Sequence, residues 1–171
     1  MIHFLSICPF YAVTGHFEPY FSAGFRAYFS RVMFMITGQE LLSVQLSHLQ
    51  HMQFILSRAD TAAASHALKT RIQEQSVKLD QLETQMQIHF LQRGWDFYDA
   101  DPLSKWIAGL RFRCRDDSAI AEHLIRLYSD RTIAMTRLRN QWKPDDRNAI
   151  NLYQKFLDHC AVGIGQMQPF L

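Results

Sequence analysis

Two leucine-striped segments lie between Gly38 and Trp95, joined by a run of small residues and closed by Gln92-Arg93-Gly94-Trp95. The first carries Leu42, Leu46, Leu49, Met52 and Leu56 at intervals of three and four, and the second continues with Leu68, Ile72, Leu79, Leu82, Met86 and Phe90. That spacing gathers each set onto one face of an α-helix, and such a face has to be covered by another element. Asp60-Thr61 reads as the stop of the first helix and an N-cap before Ala62, so the two helices should fold back antiparallel on each other. The αα-hairpin is the unit from which the rest follows.

Few glycines and prolines punctuate the chain, and none falls in the middle of a long periodic segment, which excludes an all-β protein with many turns. After Gly94 an aromatic connection through Pro102 leads to a short helix expected from Leu103 to about Arg113. A third long helix is expected after the acidic cap Asp116-Asp117-Ser118, with Ile120, Leu124, Leu127, Ala134 and Leu138 inward, ending near Trp142. A fourth follows Pro144-Asp145-Asp146, with Ala149, Tyr153, Phe156, Cys160 and Gly163 on one stripe and its last turns weakened by Gly163 and Gly165. Two hairpins separated by a longer link give an all-α class and a ferritin-like, up-down four-helix bundle with a short crossover helix, spanning residues 37–171.

The first 36 residues have a different texture, holding ten of the chain's 22 aromatic residues. A helical projection from Pro19 to Ile36 groups Phe21, Phe25, Tyr28, Phe29, Val32 and Ile36 opposite Ser22, Arg26 and Ser30. The expectation is an additional amphipathic N-terminal helix whose Phe21, Phe25 and Phe29 form an interaction surface. Three readings stay open: packing on the bundle or on a second copy, docking to a membrane surface, or a native start at Met33 or Met35 that leaves residues 1–34 without function. A secretory signal fits poorly, because there is no basic leader and Pro9, His16, Glu18 and Pro19 interrupt the apolar core.

With 18 basic and 16 acidic side chains, the formal charge of +2 is too small to require a nucleic acid. Cys8, Cys114 and Cys160 lack CxxC spacing, so reduced thiols in a cytoplasm are expected rather than disulfides or a zinc knuckle. No apolar run approaches the roughly 18–20 residues that span a bilayer.

The segment 38–102 resembles the spore coat F type of ferritin-like domain through Glu40-Leu41-Leu42, Gln85-Met86-Gln87-Ile88-His89-Phe90, Arg93-Gly94-Trp95 and Asp101-Pro102. Where that family has a tyrosine after the tryptophan, Asp96 stands here. The resemblance implies a self-assembling protective layer if the source forms spores. It carries no oxidase chemistry with it, because a dinuclear centre needs Glu-x-x-His pairs and the chain has none: Val77 follows Glu74 at that spacing, Met86 follows Glu83 and Ile125 follows Glu122.

Other chemistry rests on scattered side chains. His48 and His51, three apart on the first helix, form the metal-ligating pair to consider, with His89, His123 and His159 on the other long segments; solvent-facing or structural imidazoles are the alternative. Cys160 falls on an apolar stripe and reads as a buried inert thiol. Cys114 lies among Arg111, Arg113 and Arg115, which either lower its pKa or are simply solvated. The same arginines with Arg126, Arg131, Arg137 and Arg139 form a basic patch or a surface masked by nearby aspartates. No phosphate loop or nucleophile elbow is present, no catalytic residue is assigned and no cofactor is expected. The expected protein is a non-catalytic structural or interaction bundle, a homo-oligomer or the binder of a protein partner. The alternative is a metal- or small-ligand-binding stress protein on a degenerate ferritin-like frame.

Overall fold

The computed structural model describes residues 36–96, 116–142 and 146–171. The expected N-terminal helix with Phe21, Phe25 and Phe29, the expected crossover helix, Cys114 and the arginines around it lie outside the described residues. Everything described belongs to the unit Met35–Leu171. Among the described residues the structure is all-α, with four long helices: α1 Gly38–Ala62, α2 His66–Arg93, α3 Asp117–Arg139 and α4 Arg147–Met167, followed by a 3₁₀ turn at Gln168–Phe170.

Each start has a local cause. Thr37 and Glu40 form a reciprocal capping box, the Thr37 side chain accepting from the Glu40 amide and the Glu40 side chain from the Thr37 amide. Asp116 accepts from the Ala119 amide at 2.7 Å and Asp146 from the Asn148 amide at 2.8 Å. The first turn departs from expectation. Asp60 and Thr61 stay helical, because the Thr61 hydroxyl bonds back to the Ser57 carbonyl and Asp60 accepts from the Gln73 side chain. The chain turns at Ala63-Ala64 instead, and Ser65 caps α2 by accepting from the Leu68 amide at 3.3 Å.

The two hairpins are tied at both ends. Ile36 donates its amide to the Gln141 carbonyl, placing the start of α1 against the end of α3. The Asp117 carboxylate accepts from the Ala64 and Ser65 amides at 2.8 and 2.9 Å, placing the start of α3 against the α1–α2 turn. Asp146 at the start of α4 meets Arg93 at the end of α2. The helices therefore run up, down, down and up. The chain leaves α2 at one end of the bundle and enters α3 at the other. α1 packs beside α2 and α3, α4 packs beside the same two, and α1 and α4 touch across the interior.

Every residue of the apolar stripes expected for α1, α2 and α4 is buried. On α3 the stripe is shifted. Ile120 and Leu124 are buried as expected, but Tyr128 and Met135 fill the centre while Leu127, Ala134 and Leu138 are only half-buried. Helix α4 also runs through Gly163 and Gly165 without a break. The reason at Gly163 is steric: a Cβ there would lie 2.7 Å from the Tyr128 ring, so the missing side chain is the space the tyrosine fills.

Candidate functional site

The interior is less apolar than the stripes suggest. Gln45 and Gln75 are fully buried, and neither position shows in the periodicity because an amide there interrupts it. Gln45 reaches across from α1 to α4, donating to the Leu152 carbonyl at 2.9 Å, and Gln75 donates to Gln166. No three His, Cys, Asp or Glu side chains gather into a metal-binding group among the described residues.

His48 and His51 face α3, where Arg131 meets them. Arg131 Nη2 lies 2.7 Å from His51 Nδ1, so the imidazole accepts there and carries its proton on Nε2. Burial, then the Arg131 charge, then His51 push the His48 pKa down to about 3. Burial, Arg131 and His123 push that of His51 down to about 4. Both rings are neutral at pH 7. Neutral imidazole is the metal-ligating form, but the Nδ1 lone pair of His51 is already taken and the occupant is a cation. His48 Nδ1 and Arg131 Nε are buried and have no hydrogen-bond partner. Sequence reading placed Arg131 in a surface patch; only the α1–α3 packing shows that it turns inward. Two other described arginines of that patch are engaged elsewhere. Arg126 pairs with Glu122 at 2.6 Å and Arg139 lies over the Trp142 ring at 5.3 Å.

Deeper along the same layer, Tyr128 and His159 meet ring to edge at 5.9 Å, and Cys160 follows on α4. Burial drives the Cys160 thiol up to about 12, outweighing the Thr132 hydrogen bond and the Arg131 charge, so it stays protonated and unreactive. Burial lowers His159 to about 4, with the Lys78 charge adding to it.

At the opposite end of α2, the Arg-Gly-Trp element closes the helix. Gly94 adopts φ 65°, its amide bonds the Leu91 carbonyl, and the Trp95 amide bonds the Phe90 carbonyl, a Schellman termination. Trp95 packs edge-on to His89 and Phe90 at 5.6 and 5.7 Å. Arg93 bonds Asp146 at 2.6 Å, and His89 Nε2 lies 3.2 Å from the same carboxylate oxygen without hydrogen-bond alignment. Burial acts to raise the Asp146 carboxyl, but the Asn148 amide, Arg93 and His89 together hold it below the usual carboxylate value. Helix termination and anchoring account for every residue of this motif.

The outer face of α2 is the remaining feature. Val77, Ile88 and Leu91 are 55%, 48% and 70% exposed, more than the fold requires of a partnered helix. Val77, Gln81, Thr84, Ile88 and Leu91 recur at alternating intervals of four and three, and no charged residue interrupts them. At the other end of α2 a groove of about 560 Å³ opens against α4 and the terminal turn, walled by the Arg71–Glu74 ion pair. No helix among the described residues is long and apolar enough to cross a membrane. Comparison with known proteins finds no matching family model, no matching curated protein and no matching solved structure.

Proposed function

We propose that this chain is a non-catalytic, ferritin-like helical bundle that works through its surface by self-association, with α2 as the contact. The observation that carries this reading is the uncharged stripe of α2 with Val77, Ile88 and Leu91 exposed. Its four–three spacing is that of a helix–helix seam. Laid antiparallel on itself, the stripe sets Val77 against Ile88 of the partner subunit and Gln81 against Thr84 of the partner subunit. Of the flanking charges, Lys78 then faces Gln85 of the partner subunit and Asp80 faces Gln87 of the partner subunit, so no like charges oppose. One helix pair falls short of the roughly 800 Å² per partner of a standard interface, which makes the dimer weak, on the order of micromolar.

The single long connection between the hairpins supports the ferritin-like layout. The resemblance over 38–102 supports a coat-like assembling role where the source forms spores. A free buried thiol at Cys160 supports a reducing, cytoplasmic setting. Light scattering on the full chain across roughly 1–200 μM protein tests the contact. Dimerisation with rising concentration, abolished in Ile88→Glu at unchanged helical circular dichroism, is the expected result. A chain that stays at 20.0 kDa throughout, or an Ile88→Glu variant that dimerises as well as the parent, overturns it.

A second reading, small-ligand binding within the bundle, is favoured by the unpartnered His48 Nδ1 beside Arg131.

A further inference from the structure

We infer that the α1–α3 seam at His48, His51 and Arg131 receives a small oxyanion, a carboxylate or phosphate group, and not a metal cation. The argument begins with charge. Among the described residues no carboxylate forms an ion pair with Arg131. The neighbouring Asp130 is exposed, so its charge reaches Arg131 without pairing and does not outweigh the burial that lowers the Arg131 pKa. The partner the guanidinium does have, His51 Nδ1 at 2.7 Å, is a neutral acceptor and offsets none of the charge. Withdrawing a cation from water without a direct ion-pair partner is costly, and a bound anion offsets part of that cost.

Hydrogen-bonding capacity points the same way. Arg131 Nε carries a proton in every state, is buried, and donates to nothing. His48 Nδ1 is buried and equally unpartnered, and the tautomer with its proton on Nδ1 makes it a second donor. Arg131 is near enough to His48 for its charge to depress that ring. Two unused N–H groups beside one positive charge suit an oxygen anion, since charge-assisted bonds of this kind are about twice as strong as neutral ones. Nearby hydroxyl and thiol groups do not compete: Thr132 donates to the Tyr128 carbonyl at 2.9 Å and the Cys160 thiol is un-ionised. For a metal ion the same place is hostile, because coordination at His51 Nδ1 means displacing a guanidinium and remaining beside it.

The site is independent of the α2 contact, and the Ile88→Glu chain retains it, so either reading can fail alone. The test titrates sodium acetate and sodium phosphate into the full chain at constant ionic strength, with sodium chloride as control, following Tm and the ¹⁵N-edited imidazole signals. A saturable Tm rise of roughly 2–4 °C at about fivefold excess over Kd is expected from at least one oxyanion. Movement of the His48 and His51 ring signals should accompany it, and Arg131→Met should lose both. A response to acetate alone identifies a carboxylate, a response to phosphate alone a phosphate, and a response to both the shared oxyanion chemistry. The inference is overturned if neither anion exceeds the chloride control or if Arg131→Met responds like the parent. It is overturned equally by saturable stabilisation with zinc chloride that disappears in His51→Ala. Should Arg131→Met fail to fold, the parent's ring signals decide: shifts confined to His48 and His51 support the site, and shifts elsewhere or none overturn it.

Discussion

At the scale of single residues, two glycines two positions apart on α4 have opposite roles. A Cβ at Gly163 would meet the fully buried Tyr128 ring at 2.7 Å, whereas nothing lies within 4 Å of one at Gly165. Alanine gains about 1 kcal/mol over glycine in a helix, and overpacking a core costs about 1–3 kcal/mol. Gly163→Ala should therefore lose up to about 2 kcal/mol in urea unfolding, while Gly165→Ala should gain about 0.5–1 kcal/mol. The sequence shows that Gly163 shares a face with Phe156 and Cys160. It does not show why a glycine is there, because the reason is a ring on another helix. Buried Gln45 and Gln75 are hidden for the same reason: their partners, the Leu152 carbonyl and Gln166, lie 107 and 91 residues away.

The helices themselves were largely legible. Apolar periodicity and capping chemistry are local, so the inward faces of α1, α2 and α4 and the starts of α3 and α4 at Asp116 and Asp146 could be read directly. The turn between α1 and α2 was not. Asp60 and Thr61 have the composition of a cap, but their side chains are engaged along and beside the helix, leaving Ser65 to start α2. Asp146 shows what a cap adds when it also ties elements together. Asp146→Ala should cost about 1–2 kcal/mol, mostly the lost cap, because the Arg93 side chain is 48% exposed and solvent screens its pairing. Asp146→Asn preserves the cap and should recover most of that loss, and thermal unfolding of the two variants distinguishes these terms.

For the whole molecule, the histidines buried between helices make stability pH-dependent. His48, His51 and His159 are depressed from 6.5 to about 3, 4 and 4. Below pH 6.5 the unfolded chain takes up protons that the folded chain refuses, so stability falls as pH drops from there towards the folded values. The full slope is on the order of 1 kcal/mol per pH unit for each histidine. Urea midpoints should fall steadily from pH 7 to pH 5, and His159→Gln should flatten the decline. Asp146, depressed below 3.8, is lost over a lower, separate range. The bundle class and the long link between hairpins were readable from the chain, but the inward turn of Arg131 onto His51 was not, since it depends on how the hairpins meet. Their ties have a consequence for the order of assembly. The bonds from Ala64 to Asp117, Arg93 to Asp146 and Gln45 to Leu152 close loops of 53, 53 and 107 residues, while each hairpin is held by contacts near in sequence. Loop-closure entropy makes such distant contacts the late ones. The two hairpins should thus form first and dock afterwards, so that removing a clamp such as the Asp117 carboxylate speeds unfolding far more than it slows folding in stopped-flow measurements.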